Sequence, residues 1–180
     1  MATPKPTSDE VLHISGLVAG YISKQRKRYG TRAVPLSARQ RAPLVPFFSK
    51  EVLDGTRVLV LQGQRVANPE FYPALRNLGF INLPEQSTMA AITFCDVVVS
   101  HERFSNGLLF HELVHVEQYR QLGIARFSEL YVRGFLKGGS YEAIPLEVNA
   151  YTLEDDFRRG CRRGFSVEQE VAKWALESRF

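Results

Sequence analysis

Apolar side chains recur along the chain with two different spacings, and each spacing predicts an element. Val11, Ile14, Leu17, Val18, Tyr21 and Ile22 share one helical face, the pattern of an amphipathic helix. Thr7, followed three residues later by Glu10, makes a capping box at its start. The pattern thus predicts a helix over 7–29, ended by the basic run before Gly30. Residues 1–6 have no apolar run and read as a disordered, proline-containing lead-in. From Thr31 to Asp54 the prolines at 35, 43 and 46 predict a linker with at most short helical pieces, one of them from Pro46 to Leu53. After the turn signal Asp54-Gly55, the run Arg57–Leu61 reads as a strand. Residues 63–84 read as loop, with room for a short helix from Pro69 to Leu78. Ala90–Ser100, rich in β-branched residues, reads as a second strand.

Beyond it the period turns helical again. Leu109, Leu113 and Val116 recur on one face, nothing from Leu108 to Leu122 breaks the run, and Gly123 sits where a C-cap belongs. A second helix from Ile124 to Lys137 carries Phe127, Leu130, Tyr131 and Phe135, and Gly138-Gly139-Ser140 stops it. Pro145 suits the first turn of a third helix, running to about Arg159. Ser166 and Gln169 make a capping box for a terminal helix over 166–180, bearing Val167, Val171, Trp174 and Leu176. The expected fold class is α+β: one domain over 1–180, a small sheet packed on the helix of residues 108–122, and flanking helices at both ends.

Composition changes this picture little. No stretch approaches the roughly 18 apolar residues that span a bilayer, and the N-terminus lacks a conventional signal peptide, so a cytoplasmic location is expected. Two cysteines are too few for a disulfide framework or a cysteine-based zinc site. Cys95 reads as core and Cys161 as exposed. The net charge of +4 gathers at residues 24–28, at Arg39 and Arg41, and at Arg158-Arg159 with Arg162-Arg163. No nucleic-acid module accompanies these patches, and they read as solvated faces.

The candidate chemistry lies in His111-Glu112-Leu113-Val114-His115. On a helix, positions i and i+4 lie one turn apart on the same face, so both imidazoles can reach one metal ion. Glu112 can contact a water on that metal without ligating it. A catalytic zinc site takes a third protein ligand and leaves one position for water. A histidine six residues after His115 would be one solution, but Gln121 stands there and Gln118 holds the companion glycine position. The other solution is a glutamate on a following helix. Glu147 is such a residue, and Glu142 is a rival. Glu117 is six residues from His111 and falls on another side. Tyr141 and His101 are candidate donors to a developing oxyanion, and His13 reads as a surface residue.

The run His111–Tyr119, then Leu122-Gly123 and Pro145–Tyr151, preceded by Ala91-Ile92-Thr93, resembles the small bacterial zincin-like domains of the glutamate-ligand kind. The resemblance covers roughly residues 55–160. It implies an α+β minidomain, Zn2+ held by His111, His115 and Glu147, and hydrolysis of a peptide or protein substrate with Glu112 as general base. The alternative is a zinc-binding but catalytically idle domain serving interaction or assembly. Related peptidases often carry an aspartate four residues after the glutamate ligand, where this chain has Tyr151. A group that hydrogen-bonds and orients a ligating histidine is therefore expected from Asn149, Asp155 or a backbone carbonyl. The strand Ile92–Val99 would offer an edge on which an extended peptide pairs.

Overall fold

The computed structural model describes residues 6–160 and 164–180, and combines helices with one four-stranded sheet. The expected lead-in, apart from Pro6, and Cys161, Arg162 and Arg163 lie outside the described residues. Helix α1 (Ser8–Gly30) starts at the capping box, with Glu10 N–H donating to Thr7 Oγ1 and Thr7 N–H to Glu10 Oε2. His13 is exposed on it. Then follow β1 (Val34–Pro35), α2 (Ala38–Arg41), α3 (Lys50–Gly55), β2 (Arg57–Val60) and α4 (Tyr72–Asn77). A 3₁₀ turn (Gln86–Thr88) precedes β3 (Ala91–Phe94) and β4 (Val97–Ser100). The helices α5 (Asn106–Gly138), α6 (Pro145–Arg158) and α7 (Val167–Leu176) complete the chain. None of the helices among the described residues is long and apolar enough to cross a membrane.

Two expectations about strands need correction. The linker over 31–54 contains β1, which pairs antiparallel with β2 at the sheet edge. Pro35 is tolerated there because an edge strand leaves one side of its backbone unpaired. The run Ala90–Ser100 is a hairpin, not one strand: Phe94 stands opposite Val97, leaving Cys95-Asp96 as a two-residue loop. Such loops need positive φ, and Cys95 takes φ 62°. Arg26 of α1 clamps the Asp96 carboxylate from outside. Cys95 is therefore a half-buried turn residue, not a core strand position.

The sheet order is β1-β2-β4-β3, with β2 and β4 parallel. The central strand β4 is buried on both faces. Val98 and Val58 pack with Leu109, Phe110, Leu113 and Val114 of α5, and that cluster continues to Leu153 of α6 and Val171 of α7. Val97 and Val99 point the other way, into a cluster with Ile22 and Tyr29 of α1 and with Tyr119 and Phe127 of α5. The first half of α5 thus lies between the sheet and the C-terminal helices. Gly123 (φ 70°, ψ 165°) breaks α5 at the expected boundary between two helices.

Candidate metal centre

Every side chain from Leu109 to Tyr119 is buried. A helix enclosed on all sides is normally apolar all round, yet five of these residues are polar: His111, Glu112, His115, Glu117 and Gln118. Each must find a partner or cost free energy. Glu117 is met locally. Arg120 donates to both its oxygens at 2.9 Å and reaches on to Glu168 at 2.6 Å, which ties α5 to the start of α7. It faces away from the histidines.

The other four converge on α6 and β3. Gln118 Nε2 donates to Leu146 O (3.0 Å) and to Asn149 Oδ1 (2.9 Å), which turns its Oε1 towards His115 Nδ1 at 2.8 Å. In its neutral form His115 therefore donates from Nδ1 and presents the Nε2 lone pair. His111 Nδ1 faces Glu154 Oε2 at 3.1 Å, so its Nε2 is presented likewise. The two Nε2 atoms lie 3.2 Å apart. Glu147 Oε2 lies 3.5 Å from the first and 3.3 Å from the second. It comes this close because α6 starts hard against α5: a Cβ on Gly134 would lie 2.6 Å from Pro145 Cδ.

These three atoms fit a metal ion. Bonds of about 2.0–2.2 Å from imidazole nitrogen and carboxylate oxygen, at tetrahedral angles, separate neighbouring ligand atoms by roughly 3.3 Å. All three observed separations bracket that value. Glu147 Oε2 is moreover buried with no hydrogen-bond partner, an orphan that a cation at the shared point would satisfy. Among the described residues His111, His115 and Glu147 form a buried group able to hold a metal ion.

The electrostatics agree. Burial opposes the imidazolium form of His111, but Glu147, Glu154 and Glu112 outweigh it and raise its pKa to about 10. His115 is raised in the same sense, chiefly by Glu147 against burial. Burial opposes the charge of Glu147 too, yet the two imidazoles hold its carboxyl well below the usual range. The pocket is built to stabilise positive charge.

Glu112 stands beside this group and is not part of it. Its Oε2 accepts a 2.6 Å hydrogen bond from Thr93 Oγ1. Thr93 faces α5 because it pairs with Val98, whose side chain packs there. Glu112, His115, Glu147 and Tyr141 border an aromatic-walled cavity of about 90 Å³, between α1, β3 and the second half of α5. A wider cleft of about 410 Å³ opens on the other side, past His111, Glu112, Tyr141, Tyr151 and Glu154. Burial, then the Glu147 charge, pushes the Tyr141 phenol well up, so it stays a hydrogen-bond donor at the junction of the two spaces.

Several expectations are revised here. Glu142 is exposed and outside the metal-ligating group. His101 accepts from Val66 N–H at 2.9 Å through Nε2, while its Nδ1 lies 2.6 Å from Met89 O. With both ring nitrogens used as a strap, it has no donor left for an oxyanion. Asp155 is a surface residue near Arg159, and Asn149 acts one step removed, through Gln118. The carboxylate on His111 is Glu154, two helical turns after Glu147 and on the same face. Tyr151 sets its ring beside His111, tilted by 55° with centroids 4.5 Å apart. Sequence reasoning missed Thr93, Gln118 and Glu154. The seven-residue spacing of Glu147 and Glu154 was a readable signal for the last. Parts of the basic surface are neutralised by acidic neighbours, as in Lys24–Glu70 and Arg41–Asp54. Comparison of the chain with protein-family models, with curated proteins and with solved structures finds no match.

Proposed function

We propose that this chain is a zinc-dependent peptidase of the zincin-like, glutamate-ligand kind, with His111, His115 and Glu147 as ligands and Glu112 as general base. The observation that carries the reading is the close triangle of two Nε2 atoms and Glu147 Oε2, with a non-ligating Glu112 beside it. Two imidazoles, a carboxylate and an open fourth position suit catalytic zinc. Zinc, when bound, supplies a Lewis acid for the scissile carbonyl and lowers the pKa of water at the open position. Thr93 holds Glu112 Oε2, so Oε1 is the oxygen that takes a proton from water and hands it to the leaving nitrogen. Tyr141 donates to the carbonyl oxygen as negative charge grows there. Glu154 and Gln118 keep both imidazoles in the Nδ1–H form. Strand β3 lines the smaller cavity along Ala91–Phe94 and meets the wider cleft at Ala91, and its outer edge offers backbone groups to an extended peptide.

Element analysis of the purified chain should give close to one zinc per molecule, falling sharply in His111→Ala, His115→Ala and Glu147→Ala. Glu112→Gln should keep zinc and lose on the order of 10²–10⁴-fold in peptidase rate, the usual contribution of a general base. Equal, measurable cleavage by both proteins would remove Glu112 from the mechanism. Zinc in both and cleavage by neither, across a broad peptide library, would favour the idle interaction domain.

A further inference from the structure

Gly107 stands at the second position of α5, behind the N-cap Ser105. Its φ is not in the left-handed region, so no backbone requirement explains a residue that weakens helices more than any other except proline. The neighbour explains it. A Cβ at Gly107 would lie 2.6, 2.8 and 2.9 Å from Nη2, Cζ and Nε of Arg158. The guanidinium therefore rests in the space that any larger residue would fill, and it buries Gly107. From that seat Arg158 Nε donates to Glu154 Oε1 at 2.7 Å. The other oxygen of Glu154 faces His111 Nδ1 at 3.1 Å. Arg158 is 59% exposed, and a free surface arginine would hold one geometry poorly. Its contact with Gly107 and its hydrogen bond to Glu154 restrict that freedom.

We propose that Arg158 is a positioning residue for the metal centre, and that Gly107 is its seat. Arg158 fixes the rotamer of Glu154, Glu154 fixes the ring of His111, and His111 Nε2 is thereby aimed at the point shared with His115 and Glu147. The inference rests on the reading that those three residues hold zinc. It adds a residue from the far end of α6, and a glycine from the first turn of α5, to what determines how tightly zinc is held.

The test is zinc affinity of the full chain, by competition with a chelating dye, with the visible spectrum of the cobalt-loaded protein as a second readout. Gly107→Ala is the informative variant. The added methyl meets only the far end of a flexible side chain, and alanine favours the helix, so the fold and the thermal midpoint of the stripped protein should be kept. Partners of metal-bound histidines typically contribute 10–100-fold to affinity; acting one step further out, Gly107→Ala and Arg158→Met should each weaken zinc about tenfold and shift the cobalt bands. In a Glu154→Gln background Gly107→Ala should cost nothing more, because the relay is already cut. Wild-type affinity in both single variants overturns the proposal. So does a loss of the same size in the Glu154→Gln background, which would mark a general structural effect. A wild-type chain that takes up no zinc would overturn the metal reading itself and this inference with it.

Discussion

A buried polar atom without a partner is costly, and among the described residues Glu147 Oε2 and Asn149 Nδ2 of α6, Ser128 Oγ of α5 and Gln25 Oε1 of α1 lack one. Glu112 Oε2 and the Nδ1 atoms of both histidines are met by particular side chains, and this makes single substitutions informative. Thr93→Val keeps shape and removes the hydroxyl that Glu112 Oε2 accepts from. Losing a hydrogen bond to a buried charged group costs about 1.5–3 kcal/mol, and denaturant unfolding of the stripped chain should show it; an unchanged midpoint would mean that Glu112 is satisfied elsewhere. Protons provide a second test. Glu147 and Glu154 outweigh burial and hold His111 near pKa 10, against an ordinary 6.5. This folded value lies above the unfolded one. Its contribution to the stability of the stripped chain is thus fully present below about pH 6.5 and lost as pH rises through about 10. Zinc requires neutral rings, so loading at about pH 7.5 should release at least one proton and weaken as pH falls. Calorimetry in buffers of differing ionisation enthalpy reads the count, and a buffer-independent heat would contradict it. Much of the site was legible one residue at a time: the pair His111 and His115 follows from local helix geometry, and Glu147 from the helix that Pro145 begins. Thr93 was not legible, because its direction depends on which residue it meets across the hairpin.

Among the elements, helices were the readable part. The caps at Thr7 and Ser166, the break at Gly123 and the start at Pro145 all act within one turn of chain, so local pattern suffices. Strands depend on partners elsewhere. The apolar run over 90–100 fits one long strand or two short ones equally well; what selects the hairpin is β4 gaining a second ladder, parallel to β2, while β3 covers its other side. The short β1 is a strand only because β2 lies beside it. The hairpin loop has a chemical consequence. Burial pushes the Cys95 thiol up from about 9 to about 11, so near neutral pH it presents roughly a hundredfold less thiolate than an ordinary cysteine. In a Cys161→Ser background, alkylation should be slow and should rise about tenfold per pH unit up to about pH 11. Fast labelling at neutral pH would mean that the hairpin opens.

At the scale of the whole molecule, a metal held by α5 and α6 would fasten together two helices that both contribute to the core. Zinc at a thousand times its dissociation constant would add about 4 kcal/mol. Stripping it with a chelator should therefore lower the thermal midpoint by on the order of 10 °C. A midpoint indifferent to the chelator would show that no metal is held by the folded chain. The parallel pairing of β2 with β4 has a consequence in time as well. That contact forms only when the whole segment between Leu61 and Asp96 closes on itself, whereas α5 and α6 are neighbours along the chain and meet across a short connection. Contacts near in sequence form early and distant ones late, so the helical pair should be able to capture zinc while the sheet is still incomplete. Zinc should then accelerate refolding and not merely slow unfolding. Stopped-flow folding with and without the metal separates the two. An effect confined to the unfolding limb would place metal capture after the sheet has closed.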